Sequence, residues 1–287
     1  RITNGNQTSG AGATDSIHYE YYAEAQDIAN SGWNYTSTSS YITLSFWIKS
    51  SVAQNFQGRI RTRQGTSQNY AFETGSLSAD TWTKITKTIP GNSNLQFDND
   101  TAKNFQIDIY AFYGTDYTSS AVSLDTWAAY ASSTMTKDNT STWYTTNDAT
   151  LEITGVQLEV SDHATDFEHR SYSDEFQRCQ RYYQDWKDWT HSAQRGLDDN
   201  YDAHIIIDTL RIDMRANPTV TNTSYGWIAN GSSWVDGSSN EAVSIHNDPS
   251  SDFPGRYVKI TGQWNWDTNG QSIIAVKFVA VTFTAEL

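Results

Sequence analysis

Alternation of apolar and polar residues is the dominant pattern. In Tyr41–Lys49, Ile42, Leu44, Phe46 and Ile48 fall on one face, with Tyr41, Thr43, Ser45 and Trp47 opposite, the period-two signature of a half-buried strand. Residues 104–112 repeat it through Phe105, Ile107, Ile109 and Ala111, and residues 150–160 through Leu151, Ile153, Val156 and Leu158. Gly155 interrupts the last run and predicts a bulge there. Arg59-Ile-Arg-Thr-Arg63 also alternates, which places its three arginines on one face. Short strands separated by Gly, Ser, Asn, Asp and Thr predict a jelly-roll β-sandwich over residues 1–170.

The period changes at Ser171. Ser171 and Asp174 fit a capping box, and Tyr172, Phe176, Cys179, Tyr183 and Trp186 follow at intervals of four, three, four and three residues. That spacing predicts a helix over 172–189, within a connecting segment 171–190. Its aromatic stripe would pack across its own β-domain, form a subunit interface, or do both. Cys179 on that stripe reads as a small buried hydrophobe. Alternation resumes at residues 205–212, 256–262 and 273–283, the last two joined by a turn at Asp267–Gly270, so residues 191–287 predict a small C-terminal β-domain. The predicted class is mainly β, with one connecting helix.

Charge narrows the function. The net charge is −14, with 33 acidic and 19 basic residues. Both β-domains are acidic, which leaves no basic face for a phosphate backbone and argues against nucleic acid as a partner. No apolar run approaches the roughly 20 residues of a membrane helix, so membrane insertion is not expected. Arg1 in first place suggests an upstream segment.

Candidate chemistry is sparse. The single cysteine and six scattered histidines lack zinc-site spacing, and no nucleophile-elbow or phosphate-loop motif is present. Asp98, Asp100, Asp108, Asp116 and Asp125 are candidates for the paired acids of a glycosidase, but spacing alone gives no separation between carboxyl groups. Phe97-Asp-Asn-Asp100 offers Asp98 and Asp100 as weak ligands for a structural calcium, without the 12-residue loop pattern; no other cofactor is expected. The 11 tryptophans exceed what a polar chain needs for its core. Tyr225, Trp227, Trp234, Trp264 and Trp266 lie among Gly, Ser, Asn and Asp, where flat rings would stack on sugars or fill a core or interface. Any such glycan contact would rest on stacking and neutral hydrogen bonds and depend little on salt.

One stretch is more specific. Ile153-Thr-Gly-Val-Gln-Leu-Glu-Val160, Ala164-Thr-Asp-Phe-Glu-His-Arg-Ser-Tyr172 and Cys179-Gln-Arg-Tyr-Tyr183 resemble a junction in tailed-bacteriophage structural proteins. There a strand ending in GVQLE leads into ATPFEHRSY and then CQRYY. Met214–Val220 and Phe283–Leu287 also resemble the last domain of that family, and Asp166 stands where proline is common. The resemblance implies a carbohydrate-binding-module-like jelly roll followed by a small β-domain in a virion component, most often a tail fibre and frequently a homotrimer. It supplies no catalytic residues. Phe167, Glu168 and Arg170 would then be architectural, with Tyr172, Phe176, Cys179, Tyr183 and Trp186 at the domain junction or a trimer interface. The expected function is non-enzymatic host attachment through surface glycans, in contact with other virion proteins. A capsid fibre or decoration protein is the alternative, and a bacterial glycan-active enzyme or free carbohydrate-binding module the second.

Overall fold

Alternating residues bury one face of each long strand, and two such faces close on each other in the N-terminal part. The computed structural model describes residues 1–7 and 10–184 in full. Beyond these it describes strand backbones as far as Thr284, and the side chains of Met214, Thr219, Thr284 and Ala285. Two units separate between His169 and Arg170. Among the described residues no helix is long and apolar enough to cross a membrane.

The first unit contains β1 (Ile2–Thr3), β2 (Ser16–Glu24), α1 (Ala25–Ala29), β3 (Tyr41–Ser50), β4 (Asn55–Arg61), β5 (Gln68–Ser76) and β6 (Thr83–Pro90). It continues with β7 (Lys103–Tyr113), β8 (Trp127–Ala129), α2 (Thr142–Thr145) and β9 (Thr150–Glu159). One sheet has the order β1-β9-β3-β6 and the other β2-β7-β4-β5-β8, with antiparallel pairing throughout. The chain crosses between sheets at β1–β2, β2–β3, β3–β4, β5–β6, β6–β7 and β8–β9, the connectivity of a jelly-roll sandwich.

The core between the sheets holds Leu44, Phe46 and Ile48 from β3, Ile60 from β4, Phe72 from β5, and Phe105, Ile107 and Ile109 from β7. Trp143 of α2 is completely buried; its Nε1 donates to the Thr150 carbonyl at 3.0 Å and its backbone N–H to Gln54 Oε1 at 2.8 Å. Burying the ring without orphaning its N–H lets this short helix close the core. At Gly58 the Phe72 ring occupies the space a Cβ would need, so β4 and β5 approach closely only with glycine there.

The second unit begins with α3 (Tyr172–Gln180). Its strands are β10 (Tyr183–His191), β11 (Gly196–Leu197), β12 (Asp202–Thr209), β13 (Thr219–Asn222), β14 (Trp227–Asn230) and β15 (Ser233–Asp236). The last three are β16 (Ala242–Asn247), β17 (Arg256–Gln263) and β18 (Ile273–Thr284). β18 pairs with β10, β13 and β14, while β11, β12, β17 and β16 form a separate sheet. The strands expected at 256–262 and 273–283 are present but belong to different sheets, and the turn expected at 267–270 lies outside the described residues. The strand expected at 205–212 runs from 202 to 209.

The helix expected over 172–189 is corrected. It ends at Gln180, and Tyr183 and Trp186 belong to β10, which pairs with β18 from Tyr183↔Thr284 to His191↔Val276. Aromatic residues suit a paired strand at least as well as a helix, and ladder pairing overrides the local period. Cys179 is exposed rather than buried, because α3 buries none of its residues. Half of the expected capping box is seen: the Asp174 N–H donates to Ser171 Oγ at 3.2 Å, while Asp174 Oδ2 accepts from Ser171 Oγ at 2.6 Å rather than from the Ser171 backbone N–H.

Candidate functional site

The outward face of the five-stranded sheet is neither apolar nor simply solvated. Its rows follow from strand register: Arg59 lies opposite Asp108, Arg61 opposite Gln106, Gln57 opposite Tyr110, and on the far side of β7 Glu20 lies opposite Asp108 and Tyr22 opposite Gln106. On β5, Glu73 and Asn69 extend the rows from Gln57 and Arg61. The same alternation that sends Ile60, Ile107 and Ile109 into the core therefore sends a set of arginines, amides and tyrosines outward.

A buried ion pair lies at the centre. Arg59 Nε donates to Asp108 Oδ2 at 2.6 Å, with the two side chains only 5% and 0% exposed. Asp108 also accepts from Tyr110 Oη at 2.8 Å and from Gln106 Nε2 at 2.9 and 3.0 Å. These donors satisfy the carboxylate, which makes burying it tolerable. Burial works against the Arg59 charge, but Tyr110 and Asp108 outweigh it and raise the guanidinium pKa. Burial likewise raises the hydroxyl pKa values of Tyr110 and Tyr113.

Residues 114–139 fold over part of this face. Asn69 Nδ2 donates to the Met135 carbonyl at 2.9 Å and Asn139 Nδ2 to the Tyr113 carbonyl at 2.8 Å. Tyr110, Tyr113 and Tyr117 form a three-ring stack, with centroids 4.1 and 4.7 Å apart and near-parallel planes. Tyr130, tied to the Ser67 carbonyl through its backbone N–H at 2.9 Å, lies under the Arg61 guanidinium at 3.5 Å from ring centroid to Cζ. Arg63 Nη2 donates to Tyr22 Oη at 3.1 Å and Gln106 Oε1 at 2.7 Å, and Lys103 Nζ lies 4.7 Å from the Tyr22 ring centroid.

Several buried polar atoms here have no hydrogen-bond partner among the described residues: Arg59 Nη1, Gln57 Oε1, Asn69 Oδ1, His18 Nδ1 and Arg63 Nε. Buried polar groups are normally satisfied, and these exceptions concentrate in and beside the rows of this face. His18, Glu20 and Asp108 bring potential metal-ligating atoms within 4.8 Å of one another. The guanidinium of Arg59 and the N–H and O–H donors aimed at Asp108 oppose a cation at that point. Asp98 accepts from Gln96 Nε2, and Asp100 from Gln64 Nε2 and the Ala102 N–H. Asp98, Asp100, Asp116 and Asp125 are absent from the metal-ligand clusters found among the described residues.

The aromatic residues expected to contact sugar all fall within positions 225–266. Tyr225, Trp264 and Trp266 lie outside the described residues, while Trp227 falls in β14 and Trp234 in β15, where the backbone alone is described. Trp33, Trp127 and Trp143 are core residues, whereas Trp47 and Trp82 are each 40% exposed.

The junction motif acquires a physical meaning. Gly155, at φ +58°, sits at a bulge where β9 carries an extra residue against Ser45 and Trp47 of β3. A Cβ there would make only ordinary contacts, 3.4 Å from Trp47 and 3.8 Å from Phe167, so it is the left-handed backbone of the bulge, not space, that calls for glycine. Phe167 remains 43% exposed, edge-on to His169. Glu159 accepts from the Thr165 N–H and Oγ1, both at 2.8 Å, and Gln157 Oε1 accepts from the Glu168 N–H at 2.8 Å. Gln157 and Glu159 thus hold the exit segment against its own strand. Arg170 lies 3.7 Å from Glu175.

Of the site residues, the shared face of Arg59, Arg61 and Arg63 was readable from alternation. Tyr22, Gln57, Asn69, Gln106, Tyr110 and Tyr130 were not singled out; alternation in residues 104–112 carried the signal for two of them. No protein-family model and no curated protein matches the chain.

Proposed function

We propose that the chain is a non-enzymatic virion component of a tailed bacteriophage, of the tail-fibre or adhesin kind, whose N-terminal sandwich binds host-surface glycan. The outward face of the five-stranded sheet is the binding surface in this reading. The observation that carries it is a row of half-buried polar and aromatic side chains, Arg61 stacked on the Tyr130 ring and Arg63 beside Tyr22, flanking the buried Arg59–Asp108 pair. Sugars present hydroxyls to such guanidinium groups and C–H faces to such rings. The virion assignment rests on the resemblance of residues 151–183 to the phage junction. Asp108 is a structural member of the face in this reading, its buried carboxylate engaged by Arg59, Tyr110 and Gln106.

Assembly as a homotrimer through α3 belongs to the same proposal, since Tyr172 is 83% and Phe176 48% exposed. That exposed helix equally suits attachment to a capsid lattice, the second reading. Labelling of intact virions with antibody against this chain, viewed by electron microscopy, tests the assignment. Label on the tail is the expected result. Label on the capsid moves the function to decoration, and unlabelled particles overturn both.

A further inference from the structure

Arg59, Arg61 and Arg63 share a face, but only Arg59 has a carboxylate partner there. Among the described residues, neither Arg61 nor Arg63 forms an ion pair. Glu20, the nearest acid, meets Arg63 only through Gln106 and Tyr22, and in a chain of net charge −14 two neighbouring guanidinium groups without a directly paired carboxylate need a reason. Arg61 is held firmly: Nε donates to Ser67 Oγ at 3.3 Å, and Cζ lies 3.5 Å above the Tyr130 ring. The same serine's carbonyl receives the Tyr130 N–H at 2.9 Å, so one residue fixes both ring and guanidinium. Stacked in this way, Arg61 keeps its two terminal amino groups free of acceptors among the described residues while remaining half-buried. Burial lowers the Arg61 pKa; Tyr130 opposes this, and the neighbouring charges of Arg63 and Arg59 add to it.

A planar fork fixed on an aromatic face is the geometry that takes a carboxylate through paired hydrogen bonds. Sugar hydroxyls alone would leave the charge uncompensated. A long polyanion would meet an acidic molecule beyond these few cations. We propose that Arg61 and Arg63 form a carboxylate subsite for an acidic glycan, one carrying a hexuronic or sialic acid, with Tyr130 and Tyr22 flanking the sugar. The inference rests on the glycan-binding reading of this face and names its ligand class. It replaces the expectation of salt-independent binding: affinity should weaken several-fold as salt rises.

Calorimetry on the full chain tests it, with four probes: tetragalacturonate and its methyl ester, and sialyllactose and lactose. Binding of at least one acid about tenfold tighter than its neutral counterpart is expected, and the tighter acid identifies the source of the carboxylate. Arg61→Gln should abolish that preference, so that the variant binds the acid no more tightly than its neutral counterpart. Arg61→Lys, which keeps the charge and loses the fork, should recover only part of it. Equal binding of acid and neutral forms, or a preference that survives Arg61→Gln, would overturn the subsite and leave the glycan reading standing. Binding of none of the four probes, with the chain folded by circular dichroism, would count against both.

Discussion

At the scale of residues, the Arg59–Asp108 pair decides how the outward face tolerates burial. Neither charge is stable alone in that position, and each is neutralised across one rung of the β4–β7 ladder. Removing one partner leaves the other buried and unpaired, which costs about 3–5 kcal/mol. Asp108→Asn and Arg59→Met should therefore each destabilise strongly. The double variant removes both charges, keeps an acceptor for Tyr110 and Gln106, and should cost less than either single change. Urea unfolding of the four proteins checks this through the coupling energy of the cycle. Simple additivity would mean that the pair is not an electrostatic unit. The sequence showed that three arginines share a face because alternation is local. It did not show which one is neutralised, because Asp108 and Tyr130 reach the arginines through cross-strand register and a folded loop, neither of which has a local signature.

At the scale of elements, β9 and its exit segment show which parts of the chain can be read from neighbours alone. The alternation of β9 and the bulge at Gly155 were legible, since both depend on consecutive residues. The end of α3 was not. Aromatic residues three and four apart continue a helical stripe past Gln180, yet the partner that makes β10 a strand lies about ninety residues away in β18. The exit segment has its own test. The pKa of Glu159 is lowered: burial opposes this, and hydrogen bonds from the Thr165 N–H and Oγ1 outweigh burial. A depressed carboxylate contributes stability above its unfolded pKa, about 4.3, and loses it as pH falls through the lower folded value. Hydrogen exchange should therefore show the Thr165 amide well protected at pH 6 and progressively less so below about pH 4. Glu159→Ala should lower that protection about tenfold at pH 6 and remove its acid dependence. An amide equally protected in the variant would mean that something other than Glu159 holds the segment.

At the scale of the whole molecule, the open question is what covers α3. Isolated helices shorter than about 12 residues are marginal in water. This one has nine residues, buries none of them, and presents Tyr172 and Phe176 stacked with ring centroids 5.8 Å apart. The Ser171 cap and the Arg170–Glu175 pair contribute at most about 1–2 kcal/mol together. Among the described residues little else supports α3, and the proposed assembly would supply a surface for it to pack against. Three copies meeting along α3 would bury these rings around an axis, with Tyr183, 46% exposed at the start of β10, at the margin. Light scattering well above micromolar concentration should give three times the 32.3 kDa chain mass. Phe176→Glu, which places a charge in that contact, should return the mass to one chain while the N-terminal sandwich keeps its unfolding midpoint. A monodisperse monomer in the unaltered protein would overturn trimer formation through α3. A trimer that survives Phe176→Glu would move the contact elsewhere and leave the capsid-lattice reading as the account of the exposed helix.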